Sequence, residues 1–247
     1  MSTHFHLDPT LISMGAAGWE QLFYVLHHIN DLPQASAFQT ALFADDTCLF
    51  LKSNCMSTLQ AAVNGEVKHV DDWLISNKLT LNCSKTKFMV LTKSHDELHK
   101  IKINVVAGAV EEVNQFKYLG VLIDNQLKWQ QQLDHVCKKL GCASYALLKL
   151  RAFSLTSTLK AVYYALVHPH LSYGLACWSN ATKTSLKKII ILQNKIVQLM
   201  TYSDQRTPAS GLCKSLQVLA LDNMIKLTLI TIAHNDPNTN PKPNPKP

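Results

Sequence analysis

The chain has 247 residues, 47% hydrophobic and 17% charged, which is enough for one large core or two modest ones and too apolar for a disordered chain. No apolar run approaches the ~18 residues of a membrane span, and the opening residues have neither a basic nor an apolar signal region, so neither a membrane partner nor a secretion signal is expected. The net charge of +7 is unevenly held: residues 1–124 carry 9 Lys+Arg against 13 Asp+Glu, and residues 125–247 carry 15 against 4. Such a split points to an acidic, site-bearing half and a basic half that meets a polyanion. The seven cysteines are odd in number and none has Cys-x2-Cys spacing, which argues against a disulfide framework or a zinc site. Reduced thiols of an intracellular protein are expected, with nucleus or cytoplasm left open.

Residues 1–20 show little pattern and are expected to be irregular. Leu22-Phe-Tyr-Val-Leu-His-His-Ile29 fits a buried helix that stops at Pro33. Ala41–Phe43 and Cys48–Leu51 are short apolar runs around Ala44-Asp-Asp-Thr47, the pattern of a tight hairpin. Ser57-Thr-Leu-Gln60 has the form of a capping box. Leu59, Val63, Val67, Val70 and Leu74 then follow at steps of four, four, three and four, an amphipathic helix ending near Asn77.

Strands are expected at Lys87–Thr92, at Ile101–Val105 paired with Val110–Val113, and at Phe116–Ile123, the last ending at the turn signal Asp124-Asn125. After Trp129 the period becomes helical. One helix carries Leu133, Val136, Leu140, Ala143, Leu147 and Leu150. A second runs through Leu159–Leu166 and stops near Pro169. A third carries Leu186, Ile189, Ile190, Gln193, Ile196, Val197 and Met200, and Leu212–Ile232 holds a fourth. The end, rich in Pro and Asn, is expected to be a disordered tail. The fold class expected is α+β: an irregular stretch 1–20, a mixed segment 21–124, an all-helical segment 125–234 and a tail 235–247.

The chemistry concentrates at Asp45 and Asp46. Adjacent carboxylates at a hairpin tip repel one another, which makes sense when a divalent cation sits between them and phosphate oxygens. As an isolated pair they also suit an ordinary turn. The surrounding strings are more specific. Phe43-Ala-Asp-Asp-Thr47 resembles the metal-binding motif of reverse transcriptases in the form found in non-LTR (LINE-type) retrotransposons. The Leu22–Pro33 segment resembles the helix before that motif. Trp73-Leu-Ile-Ser-Asn-Lys-Leu-Thr-Leu-Asn-Cys-Ser-Lys-Thr86 and Phe116-Lys-Tyr-Leu-Gly-Val-Leu-Ile-Asp124 resemble two segments that follow it, the latter the primer grip. Tyr163, His168-Pro-His-Leu-Ser-Tyr-Gly174 and Trp178 resemble the thumb.

The resemblance implies a partial polymerase palm, an antiparallel sheet with helices, followed by a helical thumb-like domain. It implies an RNA-directed DNA polymerase, a nucleotidyltransferase, with Mg2+ or Mn2+ held by Asp45 and Asp46. Lys85 takes the place of a general acid or a fixed positive charge near the phosphates, or is a solvated lysine at a strand edge. Lys117, Tyr118 and Gly120 take the place of the turn holding the primer end; Gly120 admits a close backbone approach or marks a bulge. Lys138, Lys139, Lys149, Arg151, Lys187 and Lys188 would track the phosphates of an RNA template and DNA primer.

The sequence also departs from the pattern. The family has a further catalytic Asp on an earlier strand and fingers elements before it, and neither Asp8 nor Asp31 matches that ligand. The expectation is therefore an N-terminally truncated portion, inactive alone, whose hairpin lacks a neighbouring strand and self-associates through the open edge. The alternative is a non-catalytic remnant that binds nucleic acid or a partner.

Overall fold

In the computed structural model the described residues are 8–15, by backbone alone, 31–44, 46–91 and 101–235. The helix expected at Leu22–Ile29, the carboxylate of Asp45 and the tail beyond Asn235 lie outside them. Two compact units divide the chain, Met1–Leu127 and Lys128–Pro247.

The first unit is built on a five-stranded sheet. Its strands are β1 (Asp8–Gly15), β2 (Gln39–Phe43), β3 (Asp46–Ser53), β4 (Lys87–Val90) and β7 (Glu111–Glu112), in the order β2-β3-β1-β4-β7. All neighbours are antiparallel except the parallel pair β4–β7. A one-turn helix, α1 (Leu32–Ala35), precedes β2, and Pro33 sits in its first turn, where a missing N–H costs nothing. Pro33 therefore begins a turn of helix.

Helix α2 (Met56–Ser76) crosses one face of the sheet. Leu59, Val63, Val67 and Val70 are buried against Leu49 of β3 and Phe88 and Val90 of β4. Each such side chain contributes roughly 1.5–3 kcal/mol when fully buried. The helix starts one residue before the expected capping box. Cys55 is its N-cap, and Gln60 does not reach back. Its amide instead donates to the Lys102 carbonyl (2.7 Å) and accepts from the Lys102 N–H (2.9 Å), clamping the segment with buried Ile101 and Ile103 to the helix. At the far end Lys78 adopts φ 57°, and the Leu79 N–H donates to the Leu74 carbonyl, a left-handed cap that ends the helix at Asn77 as the sequence implies.

Three of the expected strands change form. Ile101–Val113 gives only the short pair β5 (Asn104–Val105) and β6 (Gly108–Ala109), because β7 joins β4 instead. The run Phe116–Ile123 is not one strand but a hairpin, β8 (Gln115–Tyr118) and β9 (Val121–Asp124). Its turn is Leu119 and Gly120, at φ 44° and 83°. Two successive positive φ values are what a two-residue hairpin loop of the tighter kind requires.

Asp8–Gly15 corrects two further expectations. It is a strand and not irregular, and it lies between β3 and β4, so the β2–β3 hairpin has the neighbouring strand it was expected to lack, while β2 stands at the sheet edge.

The second unit is helical: α3 (Gln130–Leu150), α4 (Thr156–Leu166), α5 (His168–Ser172), α6 (Leu175–Trp178), α7 (Lys183–Met200), α8 (Ala209–Leu216) and α9 (Leu221–Asn235). Helices α3 and α7 form its spine. Leu133, Val136, Leu140, Ala143 and Leu147 are buried on α3, and Leu186, Ile189, Gln193, Ile196, Val197 and Met200 on α7. Leu150, expected in that stripe, is exposed. Helix α4 ends at Leu166, near Pro169 as expected, and Pro169 lies in the first turn of α5. The single helix expected over Leu212–Ile232 is two, broken where Gln217 takes φ 56°. Among the described residues no single helix is long and apolar enough to cross a membrane.

Candidate functional site

The hairpin β2–β3 pairs Phe43 with Asp46, which leaves Ala44 and Asp45 as its loop. Ala44 has φ 52°, as the first position of such a loop demands. Asp45 is outside the described residues, so the site is built from Asp46. Asp46 is the half-buried first residue of β3, between Phe43 on β2 and Gly15 on β1.

Strand alternation puts Asp46 on the face of Cys48 and Phe50, opposite the face that α2 covers. The β8–β9 hairpin packs on that same face: Phe116, Tyr118 and Ile123 sit against the cluster of Cys48 and Met89. Burial pushes the Cys48 thiol up to about 12, and the charge of Asp46 adds to the effect. The Tyr118 phenol is raised for the same first reason, with Cys48 and Asp46 contributing. Asp46 and Tyr118 thus share one surface of the sheet. Gly120 is in the turn that ends β8. Lys117, between Phe116 and Tyr118, is exposed on the other side of β8.

Lys85 is exposed in the turn that follows α2, where its N–H donates to the Asn82 carbonyl (3.1 Å). Ser13 of β1 pairs with both Cys48 and Lys87, so Lys85 lies at the sheet end that carries Asp46. Strands two apart are about 10 Å distant. Lys87, which motif reading passes over, falls on the same face as Met89 and forms an ion pair with Glu111. The alternation in Lys87-Phe-Met-Val90 is the signal for it, because Phe88 and Val90 face α2.

Among the described residues these donors do not complete a two-cation site. In phosphoryl transfer two cations need fixed oxygen ligands from more than one element. The residue of β1 in register with Asp46 is Gly15, and the only carboxylate of that strand, Asp8, is in register with Ser53. Seven residues of strand separate the two positions, about 23 Å. Among the described residues no group of three or more His, Cys, Asp or Glu could hold a metal ion.

The basic residues expected to track the template and primer phosphates are on the second unit. Lys138, Lys139 and Lys149 on α3 and Lys187 and Lys188 on α7 are exposed. Lys188 reaches Asp134 at 4.0 Å, a surface pair worth ~0–1 kcal/mol. Lys149 lies over the Tyr145 ring, and Arg151 lies 4.5 Å from the centre of the Tyr202 ring. Tyr163 and Trp178, which carried the thumb resemblance, are fully buried and act in packing.

Residues 21–123 match the family model for reverse transcriptase (RNA-dependent DNA polymerase). That segment is similar to part of a reverse transcriptase domain. It holds the Asp pair, α2, β4 and the β8–β9 hairpin, whereas β1 precedes it. The chain is 27% identical over 188 residues to a probable RNA-directed DNA polymerase from transposon X-element of Drosophila melanogaster, covering 73% of this chain and 20% of that protein. It is 25% identical over 162 residues to the RNA-directed DNA polymerase from mobile element jockey of Drosophila funebris, 64% of this chain and 17% of that one. The chain spans about a fifth of the length of the curated relatives it matches. No solved structure matches it. The likeness to the relatives runs beyond the reverse transcriptase segment, since 73% of the chain exceeds the span 21–123.

Proposed function

We propose that these 247 residues are the portion of a non-LTR retrotransposon reverse transcriptase that contains the Asp pair of the palm and the helical, thumb-like region after it. In this reading Asp45 and Asp46 are ligands for Mg2+ or Mn2+, Lys85 faces the phosphates, and Lys117, Tyr118 and Gly120 hold the primer end. The lysines of α3 and α7 meet the backbone of an RNA template and DNA primer, with shape and not base sequence read. The segment works where chromosomal DNA is found, inside the cell.

By themselves the 247 residues do not polymerise DNA. The observation that carries this is the register of β1: a glycine stands beside Asp46 where a further carboxylate would complete the donors. Loss even of a group that only orients a metal ligand costs about 10–100-fold in affinity or activity, and a missing ligand costs more. A primer-extension assay with the chain, an RNA template, a DNA primer and Mg2+ or Mn2+ tests it. No incorporation above background is expected. Robust incorporation that Asp45→Ala or Asp46→Ala abolishes would overturn the claim.

A second reading is a non-catalytic nucleic-acid-binding remnant. The exposed lysines on α3 and α7 favour it. Under it, Asp46→Ala leaves binding intact and Lys187→Ala with Lys188→Ala weakens it.

A further inference from the structure

A groove of about 480 Å3 opens in the second unit, at the C-terminal ends of α3 and α7 and the loop after α7. Three cations line it: Arg151, Lys195 and Arg206. Among the described residues none of the three has a carboxylate within ion-pair distance. The single acid in its wall, Asp204, accepts from the Arg206 N–H (2.8 Å) and so serves to shape the loop.

The groove is fixed before any ligand arrives. Gln198 donates to the carbonyls of Gln205 (3.0 Å) and Thr207 (2.8 Å), which holds the loop against α7. The Tyr202 hydroxyl shares its one proton between the carbonyls of Arg151 (2.6 Å) and Ser154 (3.0 Å), which pins the turn that ends α3. Its ring supports the Arg151 guanidinium at 4.5 Å. Stacking of this kind leaves the planar donor edge of Arg open to an anion. Preset donors lose little entropy on binding.

We propose that this groove binds the phosphodiester backbone of a single-stranded nucleic acid. The proposal rests on the nucleic-acid reading above and adds a defined binding position to it. Three further observations select the ligand. Lys188 and Lys195 are seven residues apart on α7, two turns or about 10 Å along one face, so a second exposed lysine stands about 10 Å from the groove cation Lys195. Cations spaced in this way suit a chain of phosphates better than one free anion. Phe153, 91% exposed, stands on the turn that Tyr202 pins, an aromatic surface of the kind on which unpaired bases stack. A concave site also admits one splayed strand more readily than the convex side of a duplex.

The test is fluorescence anisotropy of the full 247-residue chain with a labelled single-stranded oligonucleotide and with a hairpin duplex of the same sequence, across a salt series. Lys195→Ala with Arg206→Ala removes two exposed cations and leaves the core untouched. It should weaken single-strand binding at least tenfold and flatten the slope of log affinity against log salt by about 1.4, at about 0.7 per lost contact. Phe153→Ala should weaken single-strand binding without changing the slope. Lys214→Ala with Lys226→Ala, outside the groove and off α3 and α7, should change neither. Wild-type affinity and slope in the Lys195/Arg206 variant overturn the proposal, as does a loss confined to the duplex or a wild-type chain that binds no oligonucleotide. Because the readout is binding, failure here is separable from any result of the primer-extension assay.

Discussion

Cys48 shows how the site and the core are joined at one residue. Its thiol is buried, faces the β8–β9 hairpin, and sits two residues from Asp46 on the same face of β3. Burial and the neighbouring carboxylate both disfavour the thiolate, which moves the folded pKa from 9.0 to about 12. In the unfolded chain the thiol ionises near its ordinary value. Between about pH 9 and 12 the unfolded state therefore binds fewer protons than the native state, and stability falls as pH rises. The expected slope from this residue approaches about 1.4 kcal/mol per pH unit. Urea unfolding at successive pH values above 9 checks it. Cys48→Ala should be less stable at neutral pH and should show a shallower decline with pH than the wild type; parallel declines would remove Cys48 as the cause.

At the scale of elements, Gln193 ties the helices of the second unit together. From α7 its amide donates to the Tyr163 hydroxyl on α4 (2.9 Å) and to the Leu219 carbonyl between α8 and α9 (2.9 Å). Its oxygen accepts from the Leu221 N–H at the start of α9 (2.8 Å). Burial leaves no water to replace these bonds, so Gln193→Leu strands three polar groups at a cost of about 3 kcal/mol. Adding Tyr163→Phe removes one of them and should return part of that loss, a coupling that a double-mutant cycle in urea reads directly. Full additivity of the two changes would mean that the network is not shared. Periodicity makes α2, α3 and α7 legible in the sequence, because each buries one face at steps of three and four. Gln193 falls in the α7 stripe by its spacing alone. Elements set by their neighbours are less legible. β1 contains Pro9, Thr10, Ser13 and Gly15, which show no alternation; it is a strand because β3 and β4 pair with it on both sides. Pro9 is tolerated since it faces only Lys52 of β3, outside the reach of β4. The turns at Leu119-Gly120 and Gln217 are hidden inside apolar runs, where one Gly or one Gln gives no warning. Asp46 was readable from its motif, whereas the glycine beside it is set by a strand register that spacing does not encode.

For the whole molecule, the division of charge and that of architecture fall close together. The acidic stretch 1–124 holds the sheet with α1 and α2, the basic stretch 125–247 holds α3 to α9, and the chain divides between Leu127 and Lys128. Each unit encloses its own core: Val63, Leu49 and Phe88 in one, Leu140, Ile189 and Val197 in the other. Local unfolding follows such cooperative units, so a cavity in one core should be felt mainly there. Leu140 is fully buried on α3, and Leu140→Ala should cost about 2–5 kcal/mol. Native-state hydrogen exchange should show that loss in the amides of α3 and α7, with those of α2 and β3 unchanged. An equal loss of protection in α2 would make the chain a single cooperative block, and the separate treatment of a carboxylate-bearing sheet and a cationic helical unit would lose its thermodynamic basis.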